Sequence, residues 1–471
     1  MSSYFNKFSF DGILKNHDNN VMKIFADIEY DKYDYSFNKC RLVCESGKEK
    51  EFHDFLEINN GKMSIAGQFN AETSISISGV RWRRICGNAA EVDFSEIVER
   101  RANADTIERG KYFISIVIDS APAVWIDGFG SMDYLGSIQA TRKHGDEILM
   151  SRDYGELALA DYYDYEKGAV GDCKSEIKIK RTKVLINSKF DIGIDVDDLI
   201  GKVEDDLGDV LSVLSLISRK VVNWHEFELV LIPENENQFF KLNRRRPCYS
   251  NRSTKVDHIL HQEALKNGIF KSLLCEYKKS GYKEMIQRAI LFLAASQERN
   301  TIEGEIQAAY SALEIATDAC AKKLGIDAIL GRDRLKQLLN SLRIVIETEL
   351  EENDDKLGKA KHELKEKVSE LKRRPLACKL LDVLRMSDIV LIDLWESQVV
   401  DNLEEKIHSI ISRRNKIIHT GEAVNLDQIY CDLLRIQAIT ERLLFYLMNF
   451  NEIRRYLYFG YNSLHCVRDF G

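Results

Sequence analysis

The sequence predicts an α+β chain of two parts, a β-rich antiparallel N-terminal domain followed by an all-α C-terminal domain. Three observations predict it. Apolar and polar residues alternate with period 2 in the first 190 or so residues, helical spacing takes over from Asp195, and the 471-residue chain holds only 4 prolines. Average usage of about 5% would give roughly 23, so long unbroken helices and strands are expected. At about 150 residues per domain the length allows two or three domains, and 44% apolar residues are ample for their cores.

Taken in order, Val21–Tyr30, Met63–Ile77, Tyr112–Ile118 and Glu176–Ile186 read as strands, the second through Ser74-Ile75-Ser76-Ile77-Ser78. Gly, Asn and Asp cluster between them, which suits an antiparallel sheet with one wet face. Leu199, Val203, Leu207, Val210, Leu211, Leu214 and Ile217 then mark one long helix over about 195–221. Asp195, Asp197 and Asp198 at its start and Arg219 and Lys220 at its end match the helix dipole. Glu226–Ile232 adds a strand before Pro233-Glu234-Asn235-Glu236-Asn237 breaks the pattern. The predicted partition is a β-rich domain over 1–235, a linker over 236–256 and an all-α domain over 257–471. Within the last, the charge-dense stretch of about 347–374 reads as a solvated helical hairpin.

Lys plus Arg number 67 and Asp plus Glu 75, a net charge of −8. That disfavours a protein that coats duplex nucleic acid through many phosphate contacts, and leaves room for a small, locally basic cleft. The 10 cysteines are scattered; the closest pair, Cys40 and Cys44, has no second pair or H-x3–5-H partner, so neither a disulfide framework nor a metal site is expected. No apolar run follows Met1 as in a signal peptide, and runs such as Ala289 to Ala295 are far shorter than the roughly 20 residues that span a bilayer. A cytoplasmic protein without membrane association is expected. No glycine-rich phosphate loop occurs, and no cofactor is expected.

The most informative segment runs from Leu403 to Gly421. Leu403, Ile407, Ile410, Ile411 and Ile418 mark a buried helical face, and Gly421 is a stop signal. Arg414 falls seven residues after Ile407 and four before Ile418, which aims its guanidinium at the apolar side. An unpaired buried charge is costly, so Arg414 requires an anion, a carboxylate or a wet cleft in front of it. Asn415 lies beside it and His419 ends the helix. The Arg…His spacing alone is weak, because Arg219…His225 and Arg252…His258 have similar gaps. Only Arg414…His419 sits on a long amphipathic helix, with Asn after the Arg and Gly after the His.

Arg413-Arg414-Asn415-Lys416-Ile417-Ile418-His419-Thr420-Gly421 resembles the R-N-x3-H signature of HEPN ribonucleases. The upstream helix Ile302–Lys322, with Tyr310-Ser311-Ala312-Leu313-Glu314, looks like the early A-L-E helix of the Apea-like subgroup. The β-rich part is similar in size and placement to the N-terminal domain of ApeA-type abortive-infection proteins. The resemblance covers most of the chain, its sharp motif six residues, and the charged stretch 347–374 departs from it. It implies a HEPN helical bundle carrying a metal-independent endoribonuclease site at the cleft of a homodimer or higher homo-oligomer. It also implies anti-phage defence, with a phage-derived trigger, RNA (tRNA among the targets) as substrate, and residues 1–235 as sensor or regulator. The implied catalytic residues are Arg414, Asn415 and His419. Arg413 and Lys416 would contact RNA, and Glu314 is either a supporting polar group or the structural partner of Arg414.

The residue chemistry agrees with that assignment. A His at a helix C-terminus has its imidazolium favoured by the dipole, which suits a group that moves protons near neutral pH. It would deprotonate the ribose 2′-hydroxyl or protonate the leaving oxygen, while Arg414 stabilises phosphate charge and Asn415 orients Arg414 or the substrate. The need for a 2′-hydroxyl selects RNA over DNA. Positions five apart on a helix differ by about 140° around the axis. Either the last turn unwinds before Gly421, or a two-fold partner completes the cleft. The rival is a non-catalytic HEPN-like helical dimer acting as a binding or antitoxin module.

Weaker candidates are Glu176-Ile177-Lys178 with Asp161 or Asp164, which imitate a metal-dependent nuclease set, and His258-Ile259-Leu260-His261, which lacks the Glu of a zinc hydrolase. Asn243-Arg244-Arg245-Arg246, with Tyr249 and Arg252, reads as an exposed linker or a phosphate-gripping loop.

Overall fold

A computed structural model describes residues 5–31, 38–103, 109–118, 147–170, 173–190, 195–234, 238–246, 269–297, 301–328, 332–349, 355–370, 374–389, 391, 394–395, 402–420 and 426–450. Within these, side chains such as those of 160–182, 355–359 and 418–420 lie outside the description. The chain is an antiparallel β-sheet region followed by a largely helical region. It divides into two units: Met1–Leu211, Val222–Lys255 and Leu265–Lys271 form the first, and Ser212–Val221, Val256–Ala264 and Ser272–Gly471 the second.

The first unit opens with β1 (Phe5–Lys15), β2 (Val21–Asp31), β3 (Asn38–Cys44), helix α1 (Glu49–Ile58), β4 (Met63–Asn70), β5 (Thr73–Cys86) and β6 (Ala89–Asp93). β4 bonds both β1 and β5, so the order β4-β1-β2-β3-β6-β5 closes on itself. Period-2 alternation fills the ring: Phe8, Phe10, Leu14, Ile24, Ile28, Leu42, Ile65, Ile77 and Val92 are buried, and Phe52 and Leu56 of α1 join the same cluster. Gly67 is required where Phe10 crosses β4, because a Cβ there would stand 2.3 Å from the Phe10 ring.

From β5 the sheet continues through β7 (Glu96–Ala102), then β13 (Phe240–Arg245), β12 (Trp224–Pro233), β8 (Gly110–Ile118), β11 (Cys173–Phe190), β10 (Gly155–Val170) and β9 (Glu147–Arg152). Two sequence expectations are corrected here. Met63–Ile77 is two strands, because Asn70 Oδ1 accepts from the Glu72 N–H at 3.0 Å and turns the chain without disturbing the alternation. The expected linker 236–256 contains β13, whose Phe240 and Leu242 are buried and which pairs with both β7 and β12. Helix α2 (Val196–Ser218) fulfils the expectation for 195–221, with Asp195 Oδ1 accepting from the N–H groups of Asp197 and Asp198 at its start.

The second unit's helices are α3 (Ile269–Lys279), α4 (Lys283–Ala295), α5 (Ile302–Leu324), α6 (Arg332–Glu349), α7 (Asp355–Glu370), α8 (Leu376–Met386), α9 (Leu403–Thr420) and α10 (Leu426–Leu447). α5 is central: α4, α8, α9 and α10 all pack on it. Its buried Ala308, Ala309, Ala312, Ala316, Ala319 and Ala321 allow close approach. Thr301 caps its start by accepting from Gly304 N at 3.2 Å, and Gly325 ends it at φ 70°, with Ile326 N bonded to Ala321 O. α6 and α7 form the expected charged hairpin, tied by Lys365 to Glu347 at 2.8 Å, but it begins at Arg332 rather than near 347.

Among the described residues no helix is long and apolar enough to cross a membrane and no group of acids, His and Cys could hold a metal ion. The described cysteines are free thiols, and burial pushes the Cys40 and Cys320 thiols up to about 12.

Candidate functional site

Helix α9 buries Ile407, Ile410 and Ile417. Ile417 was not on the face expected from the sequence; Leu403 and Ile411 are half-buried, and the Ile418 side chain lies outside the description. Around the helix, position 414 falls within the stripe of 407, 410 and 417 and position 413 at its edge, so two adjacent arginines leave the helix toward α5 and α10.

Their environments differ. Arg413 is neutralised: its Nε and Nη2 meet Asp432 Oδ2 and Oδ1 at 2.6 and 3.0 Å in a bidentate pair, and its Nη1 bonds Ser409. Asp432 is buried, on α10, and also lies 3.4 Å from Arg435. Arg414 has no carboxylate partner among the described residues. Its Nη1 donates to Asn415 Oδ1 at 2.9 Å, and its Cζ stands 5.3 Å from the centre of the Tyr310 ring on α5. Its Nε is buried without a hydrogen-bond partner among the described residues. The guanidinium borders a small crevice walled by apolar side chains such as Ile306, Ile410 and Leu433, by the Tyr310 ring and by the paired Arg413 and Asp432. Tyr310 is fixed by donating to Ile410 O at 2.8 Å. Burial pushes its phenol well above the ordinary range, Asp432 adds to the rise, and Arg414 and Arg413 oppose it.

The other expected site residues fall as follows. Asn415 is exposed and orients Arg414. Lys416 is exposed. Glu314 is exposed on α5 and makes no ion pair with Arg414. The backbone stays helical through Thr420, so the last turn does not unwind and positions 414 and 419 remain about 140° apart around α9. The His419 side chain lies outside the described residues. So do the side chains of Asp161, Asp164, Glu176 and Lys178 in β10 and β11, and the whole of His258 and His261.

Sequence reasoning missed Asp432 and the ring of Tyr310. Asp432 had a signal, an acid amid the apolar stripe Ile429, Leu433 and Ile436. Tyr310 had none, since an aromatic on a core helix is ordinarily packing.

The second basic segment belongs to the first unit. Arg244 meets Glu96 at 2.9 Å and Glu204 at 2.8 Å, Arg246 meets Glu96 at 3.4 Å and lies 3.8 Å from the centre of Trp224, and Arg245 is buried over Tyr30 at 4.5 Å. Residues 243–246 are thus a structural cluster at the end of a strand, and Tyr249 and Arg252 lie outside the described residues.

Comparison of the chain with models of known protein families, with curated proteins and with solved structures gives no match.

Proposed function

We propose that the helical unit is a HEPN-type, metal-independent endoribonuclease that acts as a dimer in anti-phage defence, with residues 1–235 as its sensor or regulator. The observation that carries this is Arg414: a guanidinium that has no carboxylate partner among the described residues and one buried N–H without a partner among them, held by Asn415 beside a crevice. A cation maintained in that state costs stability unless an anion completes it, and a phosphodiester is such an anion. In the R-N-x3-H reading the ribose 2′-oxygen attacks phosphorus and the 5′-oxygen leaves, giving a 2′,3′-cyclic phosphate and a 5′-hydroxyl. His419 takes the 2′-proton or gives one to the departing oxygen, Arg414 stabilises the negative charge that accumulates on phosphate, and Asn415 holds Arg414 in register. Because α9 keeps the two positions far apart in angle, a second chain supplying His419 toward the first chain's Arg414 accounts for the constellation.

The test is RNA cleavage by the full chain without added metal, with Arg414→Ala and His419→Ala alongside. Expected are cyclic-phosphate termini from the native protein under activating conditions, insensitive to EDTA, and inert variants that remain folded and dimeric. Equal inertness of the native chain and both variants on RNA would leave the binding or antitoxin module as the reading.

A further inference from the structure

The turn at Leu394–Trp395, with α9 and α10, encloses an open pocket of about 890 Å3 including its mouth. Half-buried Trp395 forms one wall. Lys406 Nζ lies 5.6 Å and Arg435 Cζ 5.8 Å from the centre of its ring, within the roughly 6 Å reach of cation–π attraction. Arg435 is fixed there, donating from Nε to Leu394 O at 3.0 Å and from Nη1 to Asp432 Oδ1 at 3.4 Å. Arg413 lines the same pocket and shares that carboxylate. Among the described residues three cations, Lys406, Arg413 and Arg435, therefore face two acids, buried Asp432 and exposed Glu405 on the rim.

An indole wall with flanking cations matches a planar group joined to an anion. We propose that this pocket binds a nucleotide, its base against Trp395 and its phosphate between Lys406 and Arg435. Every base offers a π-face, so an indole accepts bases with little regard to sequence, while ammonium and guanidinium groups supply charge-assisted bonds to phosphate. Without the open mouth the pocket holds about 500 Å3, within the range of about 300–1,000 Å3 usual for small-ligand sites. The nucleotide can come from an RNA strand or from the free pool. The inference rests on this pocket's own chemistry and is independent of catalysis by Arg414.

The experiment titrates the full chain with a labelled 2′-O-methyl RNA octamer, which resists 2′-attack, and separately with AMP, CMP, GMP and UMP. Binding of either probe is expected, about tenfold weaker in Trp395→Ala, as fits the loss of one base–aromatic stack. Lys406→Gln should weaken it similarly, and Trp395→Phe should recover most of the affinity. Lys336→Gln, an exposed cation on α6, removes the same charge outside the pocket and keeps the native affinity. Octamer binding alone identifies a strand subsite, and mononucleotide binding alone a free-nucleotide site. Absence of binding by every probe, undiminished binding in Trp395→Ala, or equal weakening by Lys336→Gln overturns the proposal.

Discussion

Residues 243–246 and 413–416 each carry three cations and one asparagine, Asn-Arg-Arg-Arg against Arg-Arg-Asn-Lys, and the fold puts them to opposite use. At the end of β13, Arg244 and the next-but-one residue Arg246 share Glu96 and Glu204 and lie near the Trp224 ring, so their charge is spent on joining β13 to β7 and α2. Between α9 and α10, Asp432 is the carboxylate that serves both Arg413 and Arg435 among the described residues, and Arg414 is left there with a neutral amide and a phenol ring. A basic run is therefore a phosphate candidate only after its carboxylates have been counted. Those carboxylates are remote in sequence: Glu96 lies 148 residues from Arg244, and Asp432 19 from Arg413.

The largest expected effect separates the two runs directly. Arg414→Ala should reduce RNA cleavage about 10²–10³-fold, the size of one lost transition-state donor, with little change in melting temperature. Arg244→Ala should do the reverse, lowering the melting temperature and sparing turnover. Parallel calorimetry and cleavage assays check this, and a melting temperature that falls equally in both would erase the distinction. Next in size is Glu96→Gln. It removes the shared acid from two arginines in a largely buried pair, and should cost about 2–3 kcal/mol of stability, somewhat below the cost of breaking a wholly buried pair. Chemical denaturation followed by Trp fluorescence measures it, and an unchanged midpoint would show that the β13 cluster contributes nothing.

The same contrast explains what the sequence disclosed. The change of period near Asp195 gave both regions, because periodicity is a local consequence of burial: Ile75 and Ile77 alternate inward, and Val203, Leu207, Val210 and Leu214 repeat on one helix face. The aim of Arg414 followed from wheel geometry, whereas Asn415 as its orienting group came from the family resemblance and not from periodicity. The ring closure through β4 and β5, the strand within 236–256 and the pairing of Arg413 with Asp432 were hidden, since each depends on partners brought together by the fold. Arg413 was accordingly grouped with the RNA contacts, although its bidentate bond leaves Arg414 the more available of the two.

Asn415→Asp sharpens the comparison by making α9 resemble β13. The new carboxylate would stand where the amide oxygen accepts from Arg414 at 2.9 Å, converting a neutral partner into an ion pair. Cleavage should fall about tenfold or more through competition with the phosphate, whereas Asn415→Ala, which only loosens Arg414, should lose less. The order of the two variants is the measurement; the reverse order would mean that Asn415 itself meets the substrate.

The smallest effect concerns the ring beneath Arg414. Burial holds the Tyr310 phenol neutral above its ordinary range, so the folded state binds that proton more tightly than the unfolded state does. Its contribution to stability is complete below pH about 10, the unfolded value, and is lost as pH rises beyond it toward the raised folded value. Tyr310→Phe should flatten this alkaline decline in a pH series of denaturation midpoints. It keeps the ring under the guanidinium and removes only the bond to Ile410 O, so it should cost about 1 kcal/mol at neutral pH. Cleavage should stay near the native rate, since the phenol oxygen is turned to the backbone of α9. A large loss of cleavage in Tyr310→Phe with stability preserved would instead make that hydroxyl part of the site.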